Sequence, residues 1–319
     1  MADELKPNVM NVNVANARAI NLVEAPVVRA SQPYGGLVSD LGLLRDLPGR
    51  WMGKGFNLIA RPARQGVPSN PVFFLELNGT HETLEFTALG GDIPNRGSIE
   101  PTALLHAVHY LQTVSDCSDN STIHKEPGLW VHVPKTAENP NETYVRQATI
   151  PHGDSLLAQS SFASTVAGGP VIKPVNSFPF PMTDPIPGLN DNAAHPITAP
   201  GYIGQYLTDK LPGDCLPPGL TAAATIKDPT EVLRAAIQGQ TFKETVVLVI
   251  STNPVGGIIN IPFVVKNANA VQMDAIFWIE TVVHGSGREF LQLQYVQRVI
   301  LDFDNVHWPH FSVATLIKE

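Results

Sequence analysis

The sequence predicts an all-β protein. A closed antiparallel β-barrel is the favoured architecture, with a β-sandwich as the second choice. About ten or more runs of alternating apolar and polar residues, rich in β-branched and aromatic side chains, are separated by turn signals. Little helix is predicted, and no internal repeat stands out. A closed barrel pairs every strand edge, so it is the simplest arrangement for so many short strands.

Two parts of the 319-residue chain fall outside the alternating pattern. Residues 1–46 alternate only weakly and are predicted to form an N-terminal arm, whereas residues 47–319 are predicted to form the barrel domain. A Pro- and Gly-rich excursion interrupts this domain at about 163–227, because proline lacks the backbone donor that a strand ladder needs. A helix at about 229–238 follows, with an Asp-Pro-Thr-Glu start that is typical of a helix N-terminus.

The composition excludes several classes of partner. Charged residues make up 16% of the chain, below a typical fraction of about 25%, so much of the surface is neutral and a homo-oligomer is expected. The formal net charge is -8 and Lys and Arg form no run, which excludes a nucleic-acid partner. Without a long apolar run or a secretory start, we expect no membrane association and a cytoplasmic location. Motifs of hydrolases, kinases and dehydrogenases are absent.

Three local features give definite predictions. Val72–Thr87 reads as two strands joined by a turn at Asn78-Gly79, which predicts a hairpin. Trp51 lies in a glycine-rich strand and is predicted to plug one end of the barrel. Cys117 and Cys215 are too few for a disulfide framework and lack metal-site spacing, so both are expected to be ordinary thiols.

The last stretch, Leu291–Lys318, consists of two alternating runs that flank a turn, and the second run contains His310 directly after a proline. An imidazole at the start of a buried strand is suited to bind a metal or haem iron. Alternation places His310, Ser312 and Ala314 on one face, where the small neighbours leave room for a flat macrocycle. The other interpretation is a strand-end histidine that contacts Trp308 or solvent.

Six short segments occur in an informative order. They are Leu47–Gly55, Tyr110–Gln112, Ile123–Trp130, Val145–Gln159, Leu293–Gln297 and His310–Leu316. In this order they resemble the nitrobindins, a family of small β-barrels of fatty-acid-binding-protein shape that hold haem b. The first segment is similar to the family's Leu-Gly-x-Trp-x-Gly-x-Gly opening, with Pro48 inserted. The resemblance covers roughly 47–160 and 290–318, and the chain between them has no counterpart in the family.

The resemblance implies haem b as the cofactor, with His310 as the iron ligand and a small molecule as the second ligand. It implies that His124 lies on the other side of the haem as the catalytic residue, in peroxidase-like chemistry or peroxynitrite isomerisation. Tyr295 and Arg298 are candidate cofactor-binding residues, and Arg298 is suited to hold a haem propionate. An outward-facing charge is the alternative interpretation of Arg298, and of Glu280 on the preceding strand.

Two other functions fit the sequence. A non-catalytic, lipocalin-like barrel would carry an apolar small molecule, with His310 hydrogen-bonded to the cargo. A structural oligomer would have a filled barrel. For His124, the alternative to a distal role is a hydrogen bond to Glu126 or to a turn carbonyl. His106 and His109 are three residues apart on one strand, so at most one of them points into the barrel.

Overall fold

The computed structural model describes residues 40–63, 71–96, 102–137, 140–191, 195–213 and 215–319. Residues 1–39, most of the predicted N-terminal arm, lie outside these ranges. The strands are β1 (Gly49–Pro62), β2 (Phe73–Ala88), β3 (Ile93–Asn95), β4 (Ala103–Asp116), β5 (Thr122–Val133), β6 (Thr143–Ile150), β7 (Asp154–Ala167), β8 (Phe180–Pro181), β9 (Thr241–Ser251), β10 (Gly257–Asn260), β11 (Asn269–Val283), β12 (Glu289–Phe303) and β13 (Val306–Lys318).

Ten of these strands form a closed antiparallel barrel, as the sequence predicts. Their order is β1-β2-β4-β5-β6-β7-β9-β11-β12-β13, and β13 pairs back with β1. The three short strands lie outside this ring: β3 pairs with β4, β10 with β7, and β8 with β13. The predicted fold class, an all-β closed antiparallel barrel, is therefore confirmed.

The helices in the described ranges are short. They are α1 (Pro200–Ile203), α2 (Ala222–Lys227), α3 (Glu231–Ala236) and α4 (Pro262–Asn267). The helix predicted at 229–238 corresponds to α3, and the Asp228 carboxylate accepts a hydrogen bond from the Thr230 N–H just before it begins. None of these helices is long and apolar enough to cross a membrane.

The barrel closes where the first and last strands meet, at the glycine-rich part of β1. Trp51 to Leu58 of β1 pair with Lys318 to Phe311 of β13. A Cβ atom on Gly53 would lie 2.0 Å from the carbonyl oxygen of Thr315, so only glycine allows the two backbones to approach this closely. The glycine run therefore marks the seam of the barrel.

The two ends of the barrel differ in what fills them. At the end we call the tryptophan end, the side chains of Leu41, Leu44 and Leu47 are buried together with Trp51. The indole N–H of Trp51 donates to the Leu47 carbonyl oxygen at 2.7 Å, which holds the plug in place and confirms its prediction. The opposite end has the β4–β5, β6–β7 and β12–β13 turns. We call it the histidine end because His310 faces the interior there.

The Pro-rich excursion covers the outside of the barrel wall. Strand β7 continues to Ala167, so the excursion in the structure spans residues 168–240. Its apolar side chains pack on the outer face of β1, β11, β12 and β13 in a second hydrophobic cluster. Members of that cluster include Val175, Tyr206, Ile226, Leu233, Trp278, Val296, Phe311 and Val313. This part of the wall is consequently buried on both faces.

The predicted hairpin at Val72–Thr87 is wrong, because β2 is a single strand of 16 residues that runs straight through Asn78-Gly79. The strand pairs with β1 on one side and with β4 on the other. The Asn78 side chain bonds to Asn57 and Asp116 across those pairings instead of forming a turn. Pairing on both sides outweighs the local turn preference of Asn-Gly.

The prediction of ordinary thiols is also wrong. Cys117 and Cys215 form a disulfide, with their Cα atoms 6.1 Å apart. Cys117 follows β4 and Cys215 belongs to the excursion, so the bond attaches the excursion to the barrel. The sequence does not reveal this pairing, because the residues are 98 positions apart and meet only once the excursion folds back over β2.

Candidate functional site

The interior of the barrel at the histidine end contains His310. On β13, Ala314 and Leu316 belong to the interior cluster, whereas Phe311 and Val313 belong to the cluster under the excursion. His310 lies on the same face as Ala314 and contacts Asn57, so the predicted alternation holds from His310 onward, whereas Trp308 at the start of the strand belongs to the outer cluster. Its neighbour across the β12–β13 pairing is Val299.

Two asparagines orient the His310 ring. Its Nε2 atom lies 2.8 Å from the Asn57 side-chain oxygen, and the Asn57 amide nitrogen donates to Asn78 at 3.0 Å. Because the Asn57 oxygen can only accept, the network assigns the proton to Nε2 of His310. The Nδ1 atom of His310 is then unprotonated and carries a lone pair. It has no hydrogen-bond partner among the described residues. Asn78 is held in turn by a 2.7 Å hydrogen bond to Asp116.

His310 is a neutral imidazole at physiological pH. Burial, reinforced by the neighbouring His124 and His152, lowers the pKa of its side chain to about 3. A neutral ring with a free nitrogen is the form in which histidine binds a metal. The ring is thus ready to act as a ligand without first losing a proton.

His124 and His152 form a pair of rings near His310. His124 Nδ1 lies 3.2 Å from His152 Nε2, and the other His124 nitrogen lies 3.2 Å from a Glu126 carboxylate oxygen. His124 points inward from β5, whereas His152 belongs to the β6–β7 turn and is exposed. A carboxylate, an inner imidazole and an outer imidazole therefore form a hydrogen-bonded line that ends in solvent.

Glu126 is fully buried and ionised. Burial alone would raise its pKa, but Arg146, His124 and the Tyr110 hydroxyl outweigh burial and lower the pKa to about 2. Arg146 Nη2 lies 2.5 Å from Glu126 Oε1, and the Tyr110 hydroxyl donates to the same oxygen. The second amino group of Arg146 donates to Gln297 at 2.5 Å. The charge pair therefore ties β4, β5, β6 and β12 together inside the barrel.

A second buried carboxyl group lies next to Tyr295. The Tyr295 hydroxyl donates to Glu82 Oε2 at 2.6 Å, and the Gln112 amide donates to the Tyr295 oxygen at 2.9 Å. Burial raises the pKa of Glu82, although the hydrogen bonds from Tyr295, Thr80 and Gln112 oppose that rise. Tyr295, a predicted cofactor-binding residue, is thus inside the barrel, but its hydroxyl belongs to this polar core.

Arg298 lies on the opposite face of β12 from Tyr295. Its side chain is buried under the excursion, where it contacts Asp274 at 2.6 Å and the Pro187 carbonyl oxygen at 2.6 Å. The structure therefore does not bring Arg298 together with His310. Glu280 is likewise on the outer face, but the excursion buries it completely, so neither side chain is exposed to solvent.

The interior arginine is Arg146, which the sequence analysis did not single out. The available signal was alternation on β6, because Arg146 shares a face with Tyr144 and Ala148, and both belong to the interior cluster. His106 and His109 do lie on opposite faces of β4, with His109 exposed and His106 near the tryptophan end beside His132.

An apolar wall completes the histidine end. Val299 pairs with Met273 across β11 and β12, and both belong to the interior cluster or pack against it. Ile150 and Ile258 also pack against that cluster, from β6 and from β10. One side of the interior is therefore polar and contains the histidines, and the other side is aliphatic. Such a combination is typical of a small-molecule site.

Comparisons with known proteins give limited guidance. No protein-family model matches the chain, and no curated protein matches its sequence. Among solved structures, the chain is similar to the crystal structure of Rv2717c from M. tuberculosis, at 12% identity and a TM-score of 0.40. The match covers 90% of this chain and 98% of that chain. An identity and a TM-score this low do not assign the chain to a family. The function is therefore inferred from the side chains inside the barrel.

Proposed function

We propose that the barrel binds a small molecule at its histidine end and that this molecule is haem b, with His310 as the iron ligand. The observation that supports this most strongly is the state of His310. It is a neutral, inward-facing imidazole whose Nε2 is held by Asn57 and whose Nδ1 has no hydrogen-bond partner among the described residues. A hydrogen bond on one ring nitrogen fixes the ring orientation and raises the basicity of the other, as is usual for metal-binding histidines.

The other residues at this end fit a haem group as well. Val299, Ile150 and Ile258 are only partly buried and provide aliphatic surface for a macrocycle. Ser312, two residues after His310 on the same face of β13, has a small side chain that takes up little space beside the ring. When bound, haem iron would supply reactivity toward peroxides or nitrogen oxides.

The chain's own contribution to such chemistry would be proton transfer by His124. The ionised Glu126 accepts a hydrogen bond from His124 Nε2, which fixes the orientation of the His124 ring and leaves Nδ1 directed at His152. His152 reaches solvent, so the pair connects the barrel interior with water. We assign His124 as the general acid–base residue and Glu126 as the residue that positions it.

An absorption titration tests the haem proposal. Haem-free protein is titrated with haemin, and we expect a Soret band with one haem per chain. His310→Ala should lose or shift this band, whereas His109→Ala, which removes an exposed histidine from the outer face of β4, should leave it unchanged. No Soret band, or an identical band in His310→Ala, would refute the proposal.

A rate measurement tests the role of His124. His124→Gln replaces the imidazole with a polar amide that cannot accept and release a proton. With the Soret band retained, we expect peroxide-dependent oxidation of a dye to fall about 100-fold. Turnover equal to that of the wild type would remove His124 from the mechanism and leave the haem proposal intact.

The aliphatic wall favours a second candidate function, the transport of an apolar small molecule without catalysis. In that case the haem-free protein would bind a fluorescent fatty acid, and Val299→Asp would abolish this binding because it places a charge in the wall. His310→Ala would then have little effect. This pattern, without a Soret band for the wild type, would establish the carrier function.

A further inference from the structure

A second cluster of metal-binding side chains lies outside the barrel, on the outer face of β2. It consists of His81, Cys117 and Cys215, whose ligand atoms all lie within 4.8 Å of one another. We propose that, once the disulfide is reduced, these three residues bind a thiophilic divalent cation of the Zn²⁺ class. The site is separate from the barrel interior and does not depend on the proposed function.

One of the distances already matches that of a tetrahedral zinc site. With Zn–S near 2.3 Å and Zn–N near 2.0 Å, a tetrahedral centre separates its sulfur and nitrogen ligands by about 3.5 Å. Cys215 Sγ and His81 Nε2 are 3.6 Å apart. The Cys215 sulfur and the imidazole therefore already have the spacing of two zinc ligands. The Cys117 sulfur is bonded to the first sulfur in the disulfide and would move away from it after reduction.

The local backbone explains why the three side chains meet. Gly79 and His81 are two residues apart on β2, so both positions lie on its outer face. The Cys117 N–H donates a hydrogen bond to the Gly79 carbonyl oxygen at 2.9 Å. A Cβ atom on Gly79 would lie 3.1 Å from the Cβ of Cys215. The missing side chain at Gly79 thus makes room for the cysteine of the excursion above the strand.

Reduction and binding involve a simple exchange. A dithiol reductant takes up the disulfide electrons and becomes a disulfide itself, which leaves two thiols on the protein. The cation then displaces one proton from each thiol, and His81 binds through a neutral nitrogen. Cys215 is buried whereas His81 is exposed, so the fourth position faces water. The excursion remains attached to the barrel in both states, by the disulfide or by the metal.

Cobalt provides a direct test, because thiolate-bound Co²⁺ absorbs in the near ultraviolet through charge transfer. Full-length protein is reduced, freed of metal and titrated with Co²⁺ without air. We expect one Co²⁺ per chain, a charge-transfer band of two thiolates and the visible absorption of a tetrahedral centre, all removed by Zn²⁺. The oxidised protein should show no such band.

Variants separate the proposed site from other cobalt binding. The exposed position of His81 means that His81→Ala should fold normally and weaken Co²⁺ binding at least about tenfold, whereas His109→Ala should not. Cys117→Ser should lose most of the charge-transfer band. Absence of the band in the reduced wild type, or equal affinity in His81→Ala, would overturn the proposal.

Discussion

At the scale of single residues, the interior depends on the charge pair of Glu126 and Arg146. Removal of one partner leaves the other as an uncompensated charge in the core. We expect Glu126→Gln to lower the free energy of unfolding by about 3–5 kcal/mol at neutral pH, measured by urea denaturation. As the control, Glu85→Gln breaks the exposed contact of Glu85 with Arg50 and should change stability by less than about 1 kcal/mol.

The Glu126 effect should depend on pH in a defined direction. Its folded pKa, about 2, lies below the ordinary value of 4.5, so its contribution to stability is present above pH 4.5 and is lost as the pH falls toward 2. The stability difference between wild type and Glu126→Gln should therefore shrink between pH 4.5 and pH 2. A difference that stays constant over this window would contradict the assignment.

Glu280 gives the opposite prediction. Burial under the excursion raises its pKa to about 8, and the hydrogen bond from Gln292 only partly opposes this rise. Between pH 4.5 and pH 8 the unfolded chain releases a proton that the folded chain keeps, so the wild type loses stability as the pH rises. Glu280→Gln should remove this loss and stabilise the protein by up to about 3 kcal/mol at pH 7. The urea midpoints of both proteins at pH 5 and pH 8 measure it, and an equal gap at the two values would refute it.

At the scale of elements, the sequence was informative where a pattern continues through a strand. Alternation on β13 places His310 and Ala314 on the inner face, and the structure agrees. Local turn signals were less reliable, because Asn78-Gly79 lies inside β2 and two neighbouring strands hold it extended. The inner face of β6 contains Arg146, but alternation alone does not show that its partner comes from β5.

The excursion was predicted as a segment, but its position was not. The proline content of the excursion shows that this segment does not form a regular ladder of strand hydrogen bonds. It does not show which surface of the barrel the segment covers. The structure places them on β1 and β11–β13, where Arg298 and Glu280 become buried. An outward-facing charge was the alternative interpretation of both residues, and it is correct for their direction on the strand, but their burial depends on a distant part of the chain.

The disulfide gives an element-scale prediction. A cross-link between positions 98 residues apart removes much conformational freedom from the unfolded chain. We expect Cys117→Ser with Cys215→Ser to lower the free energy of unfolding by about 2–5 kcal/mol under oxidising conditions. A reductant without added metal should lower the stability of the wild type toward that of the double variant and leave the double variant unchanged. Equal stability of both proteins under oxidising conditions would show that the bond contributes nothing.

At the scale of the whole molecule, one ring of strands creates both an interior and a protected outer wall. Pairing of β1 with β13 removes the free strand edges. The excursion covers the outer face of the ring at β1, β11, β12 and β13. The low charged fraction of the sequence is explained in part by this second apolar layer within one chain. A homo-oligomer remains a prediction, which light scattering would test.

The central claim is that His310 supplies the iron ligand, and rescue by imidazole tests it most directly. His310→Gly removes the ring and leaves space for a free imidazole molecule beside Asn57. We predict that His310→Gly with haem has an altered Soret band and that added imidazole restores the wild-type spectrum in a saturable manner. The same treatment should leave His109→Gly unchanged. A His310→Gly spectrum that already equals the wild type, or that imidazole does not restore, would contradict the claim.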